Sequence, residues 1–593
     1  MTFDADSTAR LRAANELETT FLVEAGAGTG KTTLLIDRIL SILREKRADV
    51  KEIVAITFTE KAAGELLAKL RARLERERGK GNFAERALSE LDRARVSTIH
   101  SFAGSLLRER PVEAAVDPWF EVADDIDAKL ILDDAWELWF GRRGREGSSA
   151  LTNALRLGME YQIIKQLAFH LYGWRDLFCE VHYAEPPPIP EGAVRRAIGD
   201  MKPAVCAAEK GLSAPSDSCL DNARRLLADL EGLDFSDRRG FLSRFFALQL
   251  SAKKGSRKNY ADPGILEKLK AVLENITGDL AAHRRRAAYG VLRDLLLELG
   301  TFFEFVGAAK EKEEKLDFQD LLLLARNLLR GNREVREYFQ QQFKYILVDE
   351  FQDTDPLQVE LVFYLAENGA RASDWREVDL VPGKLFIVGD PKQSIYRFRR
   401  ADIEMYEDAK QLLRKSGEVL PITKNFRTVP QLVSMVNDIF ENVIVRSPGK
   451  YYQPEYIPIL AGRPVPSHRG PALLLLPPTC ALEGFDVGGI RAEEARHIAG
   501  FLRKAVRGGY EVYDKSLDAM RNLEFRDIVL LFRSFTEIDL YEDAMREHEI
   551  PFQLEGRGEF YRTQEVRSLT NILKAVANPE DELSAAAALR SEY

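Results

Sequence analysis

Cysteine is scarce in this chain: Cys179, Cys206, Cys219 and Cys480 are the four in 593 residues. They form no CxxC pair and no Cys/His cluster, which excludes a disulfide framework, a zinc site and an iron–sulfur centre and fits a reducing compartment. A basic excess is missing too. The 85 Lys and Arg are outnumbered by 94 Asp and Glu, for a net charge of −9. Such a balance argues against a protein that coats nucleic acid nonspecifically, although a groove lined with a few basic residues is compatible with any total. Long apolar runs are absent as well. The nearest, LRDLLLELGTFFEF, is broken by charges and too short to span a bilayer. The N-terminal MTFDADSTAR carries acids and lacks the apolar segment of a secretory signal. No repeat recurs at a fixed period. A soluble cytoplasmic protein with no membrane contact is the expectation.

What is present is length and alternation. A chain of 593 residues exceeds one hydrophobic core and implies about three or four domains. FLVEA (21–25) runs into a Gly-rich turn and the helical pattern KTTLLIDRILSILRE. EIVAITF (52–58) precedes TEKAAGELLAKLRARLERE, and RVSTIHSF (95–102) leads into another helix. Strand–loop–helix order of this kind predicts an α/β fold with a parallel sheet. From 119 to 315 the Val and Ile content fades into Leu/Ala/Arg/Glu patterns at helical spacing, interrupted by the stiff EPPPIPEG. A helical insertion is expected there. Strand signals return at YILVDEF (345–351) and KLFIVGD (384–390), then at PALLLL (471–476) and DIVLLF (527–532). The last two predict a second α/β unit, and the closing NPEDELSAAAALRSEY reads as helix.

Two constellations carry chemistry on their own. Ala25, Gly26, Ala27, Gly28, Thr29, Gly30, Lys31, Thr32 and Thr33 stand between a strand and a helix. Glycines let backbone N–H groups turn inward around a phosphate chain, and the helix N-terminus complements its charge. Lys31 would neutralise the terminal phosphates and the Thr32 hydroxyl would ligate Mg²⁺. Ala25 departs from the strict phosphate-loop pattern, which has glycine there. The second constellation is Asp349-Glu350 at the end of YILV. Asp349 would hold the metal, and Glu350 would orient and deprotonate an attacking water.

AGAGTGKT, ITFTEKAA, STIHSF, VDEFQDTDPLQ, VGDPKQSIYRFRRAD and NFRTVPQLV resemble, in order, motifs I to IV of UvrD-like superfamily 1 helicases. FLVEAGAGTGKT, TFTEKAA and TIHSF look more like the RecB/AddA branch than UvrD itself. The resemblance implies RecA-like motor domains, ATP and Mg²⁺ as cofactors, 3′→5′ movement along single-stranded DNA, and a role in repair and recombination. It makes Gln393 a γ-phosphate sensor, Phe426 an adenine-stacking ring and Arg427 an arginine that reaches the γ-phosphate. It turns the strand-end residues Thr57, Phe58, Thr59, Thr98 and His100 toward DNA, together with Tyr396, Phe398 and Arg399. Phe398 stands where the family usually has Trp. The opposing structural reading makes Ile395, Tyr396 and Phe398 core.

The expected domains are a RecA-like ATPase unit of residues 1–118 and 316–408, a helical insertion at 119–315, and the first part of a second RecA-like unit from 409 to 593. Motifs V and VI are not found, so the second motor domain is expected to be cut short, with no nuclease domain after it. Arg10 occupies the place where the family often has an adenine-reading Gln. The basic runs Lys253-Lys254, Arg257-Lys258 and Arg284-Arg285-Arg286 are candidates for tracking duplex DNA, or simply solvated faces. The alternative to a motor is a non-catalytic ATP- and DNA-binding module, or one component of a complex with an AddB/RecC-like partner. A P-loop kinase shares only the first motif.

Overall fold

The computed structural model describes residues 5–79, 82–178, 184, 190–251, 254–445, 453–463, 472–476, 486–514, 516–555 and 563–591. Cys179, Cys480, Lys253 and most of EPPPIPEG lie outside them. Two compact units result: one built on the residues up to Ile422, the other on Thr423–Val445 and the described residues from Tyr456 onward.

The first unit is organised by six strands: β1 (Thr20–Ala25), β2 (Ile53–Thr57), β3 (Arg95–Thr98), β4 (Tyr345–Val348), β5 (Leu385–Gly389) and β6 (Gly417–Ile422). They pair in the order β3-β2-β4-β5-β1-β6, and every pairing is parallel. Both faces are covered at β1, β2, β4 and β5, which is why those four strands read as continuous apolar runs. Alternate residues feed two cores. Leu22, Val54, Ile56, Ile346, Val348 and Ile387 face one, and Phe21, Val23, Ala55, Leu347, Phe386 and Val388 face the other.

Strand β6 was not anticipated. The expected division at 408/409 falls inside the helix Ile403–Ser416, and the strand after it pairs with β1 from Thr20↔Gly417 to Ala25↔Ile422. The boundary therefore moves to Ile422. GEVLPI contains Gly, Glu and Pro, and on an edge strand those residues are tolerated.

Between β3 and β4 the regular structure of the described chain is mostly helical. The exception is a two-residue parallel pair, Glu121–Val122 with Lys315–Leu316. Its helices fill two cores of their own, one around Trp136, Trp139 and Phe302, the other around Leu220, Phe241 and Leu273.

The second unit holds the helices Pro430–Val443, Val487–Arg507, Ile538–Glu547, Gln564–Ala577 and Glu582–Leu589. Lys424–Asn425 pairs with Leu460–Ala461, and Glu511–Asp514 with Ala519–Asn522. The strands expected at PALLLL and DIVLLF are not formed: the described residues 472–476 and 528–532 are irregular. Leu475 is 85% and Leu531 91% exposed. An apolar run becomes a strand only when a ladder neighbour takes its N–H and C=O groups. Among the described residues neither run has one. No described helix is long and apolar enough to cross a membrane.

Leu22 is fully buried on β1, between β5 and β6, so Leu22→Ala should cost about 2–5 kcal/mol. Chemical denaturation should show the earliest transition moving to lower denaturant. An unmoved transition would mean that β1 is not the heart of the first unit.

Candidate nucleotide and nucleic-acid sites

In a parallel sheet every strand ends at the same edge, so ligand-binding loops gather there. Here β1 ends at the glycine turn, β2 at Thr57, β3 at Thr98, β4 before Asp349 and β5 before Asp390. Ala25, the departure from the phosphate-loop pattern, is the buried last residue of β1, where a methyl group packs without penalty. Gly30 caps the helix Lys31–Arg44 at φ 87°, a left-handed conformation that favours glycine. The loop tip Ala27–Thr29 groups with the second unit. There the Asn425 side-chain amide donates to the Ala27 carbonyl at 2.7 Å, and the Phe426 N–H donates to that of Gly28 at 2.9 Å. A Cβ on Gly28 would lie 2.6 Å from the Cβ of Arg427. The Arg427 N–H is itself held by Asn425 Oδ1 at 2.8 Å.

Lys31 and the acidic pair meet. The Lys31 ammonium donates to Glu350 Oε2, and the Glu350 N–H donates to Asp349 Oδ1 at 3.0 Å. Glu350 has φ 50°, an uncommon conformation for a non-glycine residue and one that recurs at functional sites. Burial, and then the neighbouring Glu350 charge, push the Asp349 carboxyl up to about 6, with Lys31 opposing. Burial and Glu350 do the same to Asp353, again to about 6. Crowded carboxylates of this kind fit a divalent cation, which would relieve their repulsion. Among the described residues no cluster of three or more His, Cys, Asp and Glu is arranged to hold a metal.

Gln352 joins this cluster to Gln393, a role its sequence position did not disclose. Its amide N–H groups donate to Glu350 Oε2 at 2.8 Å and Asp353 Oδ2 at 3.0 Å, while its carbonyl oxygen accepts the Asp390 N–H at 2.8 Å. Asp390 in turn accepts from the Gln393 amide at 2.7 Å. These hydrogen bonds connect the strand ends of β4 and β5. The one available signal was Gln352's place inside VDEFQD.

The strand-end residues proposed for DNA divide into two groups. Thr57 Oγ1 donates to the Thr59 carbonyl at 3.1 Å, and Thr59 Oγ1 caps the next helix by accepting the Ala62 N–H. Thr98 Oγ1 donates to Glu60 at 2.7 Å and accepts the Ser101 N–H. These hydroxyls have local partners. The rings differ. Phe58 lies 4.9 Å from Tyr396, which lies 5.8 Å from Phe398, and the Arg399 guanidinium sits 5.7 Å and 5.9 Å from the last two. Phe398 is 78% and Ile395 69% exposed, so neither is core. His100 packs edge-on against Phe318 at 5.5 Å, and burial lowers its pKa, favouring the neutral imidazole. Phe318, half exposed, was not picked out from the sequence.

A glycine-turned loop between strand and helix, its lysine paired with an acid at a neighbouring strand end, defines a P-loop nucleotide-binding protein on a parallel α/β sheet. The UvrD/REP helicase N-terminal domain matches residues 7–414, and the UvrD-like helicase C-terminal domain matches 420–593. The chain belongs to the UvrD/REP helicase family. Similar bacterial proteins are named as one of the subunits of an ATP-dependent helicase/nuclease. That of Bacillus pumilus is 27% identical over 643 residues, covering 96% of this chain and 51% of its own length. Those of Listeria welshimeri and Geobacillus kaustophilus are 26% and 25% identical, each over 96% of this chain and 50% of theirs. The chain spans about half the length of the curated relatives it matches. The expectation that the second domain is cut short is not borne out, because the C-terminal match runs to residue 593.

Burial holds the Asp349 carboxyl near 6, so if Mg²⁺·ATP is bound through that carboxylate, binding should release a proton and tighten as pH rises through that value. Calorimetry across this range checks it. Asp349→Asn should bind more weakly with a shallower pH slope; an unchanged slope would assign the titration elsewhere, ATP included.

Proposed function

We propose that the chain is the motor portion of an ATP-driven DNA helicase that moves 3′→5′ on single-stranded DNA in repair and recombination. The observation that carries this is the pairing of Lys31 with Glu350 beside Asp349, at the strand edge that also presents the Phe58–Tyr396–Phe398 rings.

In this reading the nucleotide's phosphates enter the turn Gly26–Thr32 and draw the Lys31 ammonium away from Glu350. The freed Glu350 carboxylate then accepts a proton from the water that attacks the γ-phosphorus. Thr32 Oγ1 and Asp349 would hold Mg²⁺, whose charge offsets that of the phosphate oxygens when bound. Gln393, tied to Asp390 and through Gln352 to Glu350, would pass the state of the γ-phosphate to the loop carrying Tyr396 and Phe398. For Thr33, Phe426 and Arg427 the proposal rests on the motifs alone. The rings Phe58, Tyr396 and Phe398 offer stacking faces to unpaired bases, with Arg399 for phosphate or cation–π contact. Thr57, Thr59, Thr98 and His100 would line the same edge through backbone and ring. Duplex DNA ahead of the tracked strand is the further substrate. The relatives are named as one component of a helicase/nuclease, so an AddB-like partner belongs to the proposal. A cytoplasmic location belongs to the same proposal.

ATP turnover with and without single-stranded DNA tests the reading. Stimulation by DNA is expected. DNA-independent turnover would indicate a different P-loop ATPase, and no turnover a binding module. Glu350→Gln should lose about 10²–10⁴-fold in rate while still binding ATP·Mg²⁺; affinity collapsing with the rate would make Glu350 a structural or metal group instead. Phe398→Ala should weaken oligo-dT binding by about 1–3 kcal/mol without lowering the melting temperature. A folding defect with unaltered DNA affinity would return the ring to the core.

A further inference from the structure

The loop that carries the exposed rings ends in a residue whose backbone is unfavourable and whose side chain is buried. Arg400 sits at φ 73°, ψ 7°, in the left-handed region that favours glycine. It closes a tight turn: the Arg400 N–H donates to the Arg397 carbonyl at 3.0 Å, and the Ala401 N–H to that of Tyr396 at 3.2 Å. Its guanidinium reaches away from the rings and grips Asp176 with both terminal nitrogens, one of them at 2.9 Å from Oδ1. It also lies 4.9 Å from the ring of Trp174. Side-chain exposure is 12% for Arg400 and 3% for Asp176. Asp176 belongs to the short helix Arg175–Phe178 in the helical region, far along the chain from the loop.

Asp176 is itself anchored. It accepts the Gln319 amide at 3.0 Å, and Gln319 accepts from Arg175 at 3.0 Å. Arg175 and Lys310 both bind the carboxylates of Asp317 and Asp320. Burial alone would raise Asp317, yet Arg175 and Lys310 hold it at about 2, so that carboxylate stays ionised. The pair at Arg400 is the point where this buried charge network meets the loop of Tyr396, Phe398 and Arg399.

We propose that Arg400 and Asp176 are positioning residues that clamp the aromatic loop to the helical region, so that the rings are held in place to receive DNA bases. This rests on the DNA-motor reading above. A buried bidentate arginine–carboxylate pair has both the geometric specificity and the strength to fix a turn. It also accounts for an arginine where the backbone would suit glycine. The clamp does not touch the nucleotide cluster of Lys31, Asp349 and Glu350, so DNA binding should change without the DNA-free reaction.

The test uses the full chain with Arg400→Gly, which accepts the backbone conformation, and Asp176→Asn, which keeps the side-chain shape. Each should raise the oligo-dT concentration for half-maximal ATPase stimulation by about tenfold, what one lost base–aromatic stack is worth. DNA-free turnover should stay within about twofold, a difference too small to mark a lost catalytic contact. Trypsin should cut faster at the exposed Arg397 and Arg399 in both variants, a readout that needs no DNA. Combining the two substitutions should add little to either alone, because both break one contact, and Arg400→Lys should fall between wild type and Arg400→Gly. Folded variants with wild-type DNA saturation and wild-type trypsin rates overturn the clamp while leaving the motor intact. Wild-type protein that neither binds oligo-dT nor responds to it overturns the motor reading, and the clamp's role in DNA binding with it. If Asp176→Asn fails to fold, Arg400→Gly and Arg400→Lys still decide by the same two measurements.

Discussion

Strand β1 is hydrogen-bonded along both edges, to β5 and to β6, and buried on both faces. Everything the candidate sites do depends on that placement. A parallel ladder has one direction, so each strand delivers its last residue to a common edge. Lys31 follows β1, and Glu350 follows β4, separated from it by β5 alone. Their side chains can therefore touch although they are 319 residues apart in sequence. The helical region inserted between β3 and β4 does not disturb this geometry, because its helices fill separate cores. A long insertion costs little when its ends leave and re-enter the sheet close together, as the Glu121–Val122 and Lys315–Leu316 pairing shows.

The edge is electrostatically unfinished. Asp349, Glu350 and Asp353 crowd around one lysine, and two of the three carboxyls are pushed up to about 6. A surface cluster would relax by turning toward water. This one cannot, because Gln352 ties Glu350 and Asp353 to the backbone of Asp390. Charge that cannot relax is what a nucleotide with its cation would complement, and the site is arranged before either arrives. The overall charge of −9 says nothing about this, since the relevant field is set by a few groups within hydrogen-bond reach.

The candidate nucleotide site was legible because each of its parts is contiguous. A glycine turn after an apolar strand, or two acids at a strand end, can be read locally. The resemblance to UvrD-like proteins ordered the parts, and the family assignment agrees with it. Features depending on remote partners were not legible. Nothing in GEVLPI announces an edge strand beside β1, and the bridge that Gln352 makes between two strand ends is signalled only by its place inside VDEFQD. PALLLL and DIVLLF mislead in the opposite direction. Their composition is that of strands, but pairing decides the outcome, and among the described residues 472–476 and 528–532 have no ladder. The resemblance turns Thr59 and Thr98 toward DNA, and in the structure their hydroxyls cap helices. N-capping is the commoner use of a threonine at a strand–helix junction.

Two of the non-glycine residues with positive φ, Glu350 and Arg400, lie in the motif loops after β4 and β5. Each such residue costs of order 1–3 kcal/mol and persists only where its surroundings over-determine it. In both cases an ion pair does so: Lys31 for Glu350, Asp176 for Arg400. Glycine would remove the backbone cost at either position, but it would also remove the charge that locates the turn. At Glu350 that charge is proposed as the base, so the side chain cannot be exchanged for an easier backbone. The same logic applied to Arg400 implies a contact important enough to outweigh the strain. Its buried partner lies in the helical region, not at the nucleotide. The strained turn therefore ties the exposed rings to a different part of the molecule from the one that holds the phosphates, and a motor must connect those two parts.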